Sequence, residues 1–518
     1  MPATPYKHTT NAKIENVEPK SHSQSDATVL VPEPSDDPND PLNWPTSKKY
    51  VTLAIWSLAS FSSQASAMAN LQGYVLQAPL YGKTPVQVSY SISAALAGLI
   101  AGALIVVPLG RKFGSCFCLL WSTIGVLVTA IWSALMTSSK DYNAFIVSRL
   151  FAGIFASPPL ILGSATVLRI FFRNQRGKCL HILHVPYLLG AVAGPTFGGF
   201  IVAKHPWPIQ FWWTVAMNGL LIVLILLFLD NTEYSRNSQS SQPISLSEPL
   251  LTRRMKTYLY GSAAIEHVSF SQCIMIELRT VGDEILIGLC PISILAGLVL
   301  LVDFGFATMS YVLNILFVEQ PVSEGGYAFN SNQTAAFTIS QWIGLGIAET
   351  YGHFVSDRLP LWLCRRNNNI WKQEYRLYCT AAPVIILPIG LGLFASALQY
   401  HLHWVVLALG SVLIFAAGMS VVPIVMTYLC ECFPNHASET SAIMSVYRLG
   451  FGLSTTFFAT PWINKVGIGW TFGMAAIFTV SISVNLAFLI WKGPQAMKWS
   501  PFKRNADSHF GRNDLEEA

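Results

Sequence analysis

The sequence predicts an all-α membrane protein whose twelve transmembrane helices form two six-helix bundles. Three observations carry that prediction. Hydrophobic residues make up 52% of the 518-residue chain and charged residues only 11%, against roughly 25% charged in ordinary soluble domains. Apolar runs of about 20 residues, long enough to cross a bilayer, recur along the chain. The runs fall into two sets of six, separated by one long polar interruption.

Taken in order, residues 1–49 carry Ser, Thr, Pro and charge without apolar periodicity and predict a disordered cytosolic tail. The first long apolar run begins too late for a cleaved signal peptide. Apolar runs near residues 51–70, 89–107, 117–136, 144–168, 181–202 and 211–229 define an N-terminal bundle over residues 50–230. Residues 231–290 are rich in Ser, Gln, Arg and Glu and read as a cytosolic connector. Six further runs, near residues 292–317, 334–353, 381–397, 404–429, 441–463 and 470–490, define a C-terminal bundle over residues 291–491. Residues 492–518 are mixed in charge and predict a second cytosolic tail.

Lys and Arg in short loops set the orientation, because positive residues are retained on the cytosolic side. Lys48, Lys49, Arg111, Lys112, Arg169, Arg173, Arg176, Lys178, Arg358, Arg365, Arg366, Lys372 and Arg376 share the face that holds the N-terminus, whereas the opposite face shows only Lys83, Lys140, Lys204 and Lys465. Both termini and the connector are therefore placed in the cytosol. The sequon Asn332-Gln333-Thr334 falls on the outer face close to the membrane, and Asn332 is the candidate N-glycosylation site. All nine cysteines fall at cytosolic ends or in the connector, where structural disulfides do not persist. Cys430-Glu-Cys432 lacks metal-site spacing, and no span carries a His, Asp or Glu cluster of catalytic or metal-binding pattern. The expectation is a monomer in the lipid bilayer with no enzymatic residues, no metal, no cofactor and no nucleic-acid partner.

Within the fifth run lies Gly190-Ala-Val-Ala-Gly194-Pro195-Thr-Phe-Gly198-Gly199. Four glycines and a proline weaken a helix, so the segment must gain from close approach or from a bend. Pro195 leaves a carbonyl one turn earlier without its donor, which a neighbouring helix can satisfy. The GxxxGPxxGG spacing resembles the fifth-helix signature of the twelve-helix drug:proton antiporters of the major facilitator superfamily. Other segments carry the same resemblance. Asp37-Pro-Asn-Asp-Pro-Leu-Asn-Trp44-Pro45 is similar to the pre-helix signature of fungal members, and Glu374-Tyr-Arg376-Leu377 to the element that precedes their ninth helix. Ser148-Arg149-Leu-Phe-Ala-Gly153 resembles the fourth-helix Arg-x-x-x-Gly motif, whose arginine the family ties to proton transfer. The turns Pro108-Leu-Gly-Arg111-Lys112-Phe-Gly114 and Gly352-His-Phe-Val-Ser-Asp357-Arg358-Leu resemble the family's cytoplasmic loop motif, in which an Asp latches the inward side. The second copy keeps Asp357 and Arg358 as a cytoplasmic gate. In the first copy Arg111 fills the Asp position, so positive-inside anchoring is the expected role of Arg111 and Lys112.

Charges inside apolar spans cost at least about 2.5 kcal/mol at helix centre and mark function or pairing. Arg149, Asp303 and Arg448 are the candidates for proton coupling or substrate contact, and Asp303 and Arg448 are also candidate ion-pair partners. Glu349 and Glu431 fall near cytosolic ends and read as solvated. The amides Gln64, Asn218, Gln341 and Asn485 and the rings of Trp56, Tyr187, Phe304, Tyr311, Trp342 and Tyr447 suggest that an uncharged, amphipathic, fairly bulky solute fits the centre. Of the amides, Gln341 joins the candidate site. The resemblance implies export of a small organic molecule, such as a drug, toxin or secondary metabolite, in exchange for protons. The alternatives are an uptake carrier for a nutrient on the same fold and a transport-inactive sensor.

Overall fold

The computed structural model describes residues 37, 40–233, 258, 281–356, 358–368, 370–433 and 436–499. Its long helices are α1 (Thr46–Met68), α2 (Pro85–Phe113), α3 (Ser115–Leu135), α4 (Tyr142–Ile170), α5 (Arg173–Val202), α6 (Ile209–Phe228), α7 (Pro291–Glu319), α8 (Ile339–Tyr351), α9 (Ala381–Gln399), α10 (Trp404–Cys432), α11 (Ala437–Val466) and α12 (Ile468–Lys498). No β-strand occurs among the described residues.

Among the described residues, nine helical segments are long and apolar enough to cross a bilayer on composition alone. The helices that fall short are α1, α8 and α11, and each has a physical reason. Helix α1 carries Ser57, Ser60, Ser62, Ser63, Gln64 and Ser66, all buried against protein rather than lipid. Three of those hydroxyls return to their own helix, Ser60 Oγ to Trp56 O at 2.9 Å, Ser63 Oγ to Ser60 O at 3.2 Å and Ser66 Oγ to Ser62 O at 2.8 Å. Helix α8 is preceded by a separate short helix, Ser331–Phe337, with the break at Thr338. Helix α11 buries Glu439 and Arg448 among small and hydroxylic residues.

The packing repeats. In the first half α1 packs on α4, α5 and α6, α2 on α4, and α3 on α4 and α6. Advancing every label by six gives the packing of the second half: α7 on α10, α11 and α12, α8 on α10, and α9 on α10 and α12. Between the halves α2 packs against α11 and α5 against α8, and these two contacts also exchange under the same shift. Each half buries its own apolar cores, and one cluster, containing Leu96, Tyr311 and Phe415, runs across the seam.

The packed region extends beyond the expected bundle limits at both ends. Pro41–Asn43 forms a short turn of 3-10 helix before α1, with Asp40 accepting from the Leu42 amide at 3.0 Å. Lys49 is buried and donates to Leu42 O at 2.9 Å, while Lys48 lies 2.7 Å from Asp230 and over the Trp44 ring. Residues 40–49 are thus docked structure, and the Asp-Pro-Leu-Asn-Trp segment earns its place as a fastener between the start of α1 and the end of α6. At the other end α12 continues past residue 491 to Lys498, because Ala496 and Met497 still bury against the second-half core.

Candidate functional site

Helices α1, α2, α5, α7, α10 and α11 enclose a cavity at the seam of the two halves. Its volume of about 40 Å³ holds a few waters and no metabolite. Gln64, Phe304, Thr308, Tyr311, Phe415 and Leu449 are in its wall. Toward one end of the bundles Ser93 Oγ donates to Leu453 O at 2.9 Å, and Thr196 bonds Thr338 at 2.7 Å and receives the Trp342 indole N–H at 3.0 Å. Toward the opposite end His181 Nε2 lies 2.7 Å from Glu349 Oε2, and Arg111 pairs with Glu439. Every one of these contacts joins one half to the other.

Helix α5 meets α1 backbone to backbone. A Cβ added at Gly190 would lie 2.4 Å from Phe61 O, and one at Gly194 would lie 2.5 Å from Ala65 O. At Gly198 the nearest atom would be Ala69 O at 3.0 Å, and at Gly199 it would be the Ala335 Cβ of the opposite half at 2.8 Å. Pro195 has no N–H to give to Ala191 O. The Tyr311 hydroxyl of α7 supplies that bond at 2.5 Å. Pro186 likewise frees Ile182 O, which accepts from Ser57 Oγ at 3.1 Å. Prolines in α5 therefore convert helix carbonyls into docking points for its neighbours.

Arg149 is 1% exposed. One of its terminal nitrogens donates to Ser66 O at 2.8 Å and Ala67 O at 2.5 Å, and the guanidinium lies 5.2 Å from the Phe211 ring centre. The accepting carbonyls belong to the last turn of α1, which stops at Met68. A cation there meets both the orphan carbonyls and the negative end of the helix dipole. Beside it Asn218 links Ser62 at 2.8 Å and Ser66 at 3.0 Å, so Asn218 is part of the α1–α6 contact and is not in the cavity wall. Gly153 lets α2 approach α4, since a Cβ there would lie 2.0 Å from Ala95 O.

Asp303 and Arg448 do not pair. Asp303 is 1% exposed where α7 packs on α10 at Gly418, and neither of its carboxyl oxygens has a hydrogen-bond partner. Arg448 turns the other way. It donates to the Tyr187 hydroxyl at 2.9 Å across the seam, and its guanidinium lies 5.0 Å from the Tyr187 ring and 5.1 Å from the Phe304 ring. Two aromatic faces and a phenol oxygen hold the cation in place of the expected carboxylate. Gln341 is buried on α8 with its Oε1 unpartnered.

The match to known proteins covers most of the chain. The Major Facilitator Superfamily model matches residues 53–458. The chain belongs to that superfamily. Among its relatives are the MFS transporter cpaT of Aspergillus oryzae, 27% identical with 84% of each chain covered, and the efflux pump radE of Floropilus chiversii, 23% identical with 94% of this chain and 87% of that one covered. The solved proton:xylose symporter XylE, bound to 6-bromo-6-deoxy-D-glucose, superposes with a TM-score of 0.61 at 14% identity, over 87% of this chain and 96% of that one. This multi-pass membrane protein is a transporter and not an enzyme.

The end of the transporter that carries Arg111 and Glu349 departs from the sequence reading. Arg111 is not a plain anchor, because it joins α2 to Glu439 on α11. Glu349 is not simply solvated, because it faces His181 across the α5–α8 contact. Glu431 is held by Arg376, with contacts at 2.7 and 2.6 Å, which gives the Glu374-Tyr-Arg376-Leu377 element a structural task. Glu284, on a helical stretch over residues 281–289 beneath α7, is fully buried with neither oxygen hydrogen-bonded. Burial pushes its carboxyl up to about 8, and the nearby Arg111 charge pulls the other way. Burial also lowers His436 beside Glu439.

The remaining candidates are more dispersed. Arg358 is exposed and stacks over Phe354 at 5.3 Å, and Asp357 lies outside the described residues. Asn332 is exposed in the first turn of Ser331–Phe337, where Thr334 of the sequon is buried and bonds Asn330 O. Of the aromatic candidates, Phe304 and Tyr311 line the cavity, whereas Trp56 packs within the first half near Gly163 and Tyr447 packs on Gly297. Glu439 escaped the sequence reading, and its one available signal was an acidic residue buried in the first turn of a helix whose cytosolic surroundings are basic.

Proposed function

We propose that this transporter exports a small organic molecule in exchange for protons, with the two bundles rocking about the cavity at their seam. The observation that carries the reading is Asp303, a buried carboxyl in a cavity-forming helix with no partner for either oxygen. Such a group can gain and lose a proton without breaking any existing contact. If the two arrangements of the bundles differ in how they expose it, the proton gradient biases their balance. Arg149 serves the cycle by holding the outer end of α1, and Gln341 offers an amide oxygen on α8. The direction of transport rests on kinship with the efflux pump radE and on the GxxxGPxxGG fifth helix. We place the protein in the plasma membrane.

The test starts from a strain that lacks the transporter. Metabolites retained in its cells identify the cargo, which is then loaded into proteoliposomes that hold the purified protein and an imposed pH gradient. Gradient-driven export that disappears when the gradient is collapsed supports the proposal. Movement that runs equally well without a gradient, or only inward, overturns it.

A further inference from the structure

We propose that Arg448, with Tyr187 and Phe304, forms the recognition point for the acidic group of a solute, so that the cargo is an organic carboxylate with an apolar body. The inference rests on the cavity being the solute site. Arg448 is 4% exposed and has no acidic partner among the described residues. A guanidinium removed from water without a counter-charge is costly, and its planar fork suits a carboxylate. Its present contacts use one N–H on a phenol oxygen and otherwise ring faces, which leaves donors for a bidentate partner.

The placement suits an acid whose apolar body enters the cavity when the bundles part, since the present volume of about 40 Å³ admits no metabolite. Phe304 is shared between Arg448 and the cavity wall, and Leu449, the next residue along α11, is also in the wall. Tyr187 stands one turn before Ala191, another wall residue. The arginine therefore adjoins one end of a chamber whose wall is apolar apart from Gln64, Thr308 and Tyr311. A cation at one end, with hydrocarbon above, matches a carboxylate head and an apolar tail. This departs from the uncharged solute expected from the sequence.

The purified full-length transporter in lipid nanodiscs is titrated with hexanoate, octanoate and 2-naphthoate, each beside its primary amide, and binding is read as thermal stabilisation. At least one carboxylate should bind, and its amide should bind about ten- to a hundredfold more weakly, the worth of a hydrogen bond to a charged group. Arg448→Gln should erase that preference, and Arg448→Lys should weaken it. The proposal is overturned if no carboxylate stabilises the wild type, if the amides bind as tightly as the acids, or if Arg448→Gln keeps the preference. Should Arg448→Gln fail to fold, the wild-type comparison and Arg448→Lys decide the matter. Acid binding without movement in proteoliposomes would remove the export reading and leave the carboxylate site standing, whereas export of neutral cargo without acid preference would remove the site alone.

Discussion

Replacing Gly194 with alanine tests whether the α1–α5 contact is as tight as the geometry requires. The added Cβ would sit 2.5 Å from Ala65 O and 3.2 Å from the Ala65 carbonyl carbon and Cα, where real Cβ contacts stay beyond 3.0 Å. The obstructing atoms are backbone, so no side chain can swing aside. The helices must part by at least about 0.5 Å, and the neighbouring contact at Gly190 would loosen with them. Overpacking of this kind costs about 1–3 kcal/mol. Gly392→Ala in α9 is the control, because nothing lies within 4 Å of its added Cβ and it should be neutral or slightly stabilising. Thermal unfolding of the purified variants in nanodiscs should rank Gly194→Ala below wild type and Gly392→Ala at or above it. Gly194→Leu should reach the membrane and fail to transport. A Gly194→Ala protein as stable as the Gly392→Ala control would refute the close-contact argument.

Tyr311→Phe strands Ala191 O and should lower stability by about 1–3 kcal/mol, while the added change Pro195→Ala, which restores the helix's own donor, should recover part of that loss in a double-mutant cycle. Glu284 is a pH-dependent element: its raised carboxyl stabilises the fold fully below about 4.5, and the contribution is lost as pH rises through about 8. Melting temperature should therefore fall between about pH 5 and 9 by the equivalent of a few kcal/mol, and Glu284→Gln should flatten that slope. For coupling, Asp303→Asn should lose gradient-driven export yet retain exchange at equal pH, and Arg149→Lys should export less at normal abundance, so normal pH-dependent export by both would refute the coupling roles. An impermeant thiol reagent applied to intact cells should label Ser323→Cys and spare Ser240→Cys, and the reverse would overturn the orientation.

Much of the helix layout was legible because hydropathy reports where a chain meets lipid. Even α1 was readable, since its serines are spaced among apolar residues that keep the run continuous. The partners of individual charges were not legible, because they depend on how distant segments meet. Arg111 and Glu439 touch only after α2 and α11 cross the seam, and nothing near either residue announces the other. Arg149 stood out in the sequence as a charge in an apolar span, but its partners are backbone carbonyls of α1, which carry no side-chain signature. Pro195 was a partial success of another kind. The freed carbonyl follows from the residue type alone, whereas the identity of its new donor, Tyr311, follows only from the fold.

Three of the charges buried in the helices, Arg149, Arg448 and Asp303, differ in what surrounds them. Arg149 is held by two carbonyls of a helix end within its own half, with its Nε left unpartnered, so moving the halves apart need not disturb it. Arg448 spans the seam through Tyr187, so any rocking motion that separates α5 from α11 must break its only hydrogen bond. Asp303 lies inside the second half, against α10, with nothing to break. A bound acid would replace Tyr187 as the partner of Arg448 and lower the cost of parting the halves there. A proton arriving at Asp303 would act on the second half from within. Cargo and proton then press on different contacts of one moving seam, which is the arrangement an exchanger needs if each is to travel only when the other has left.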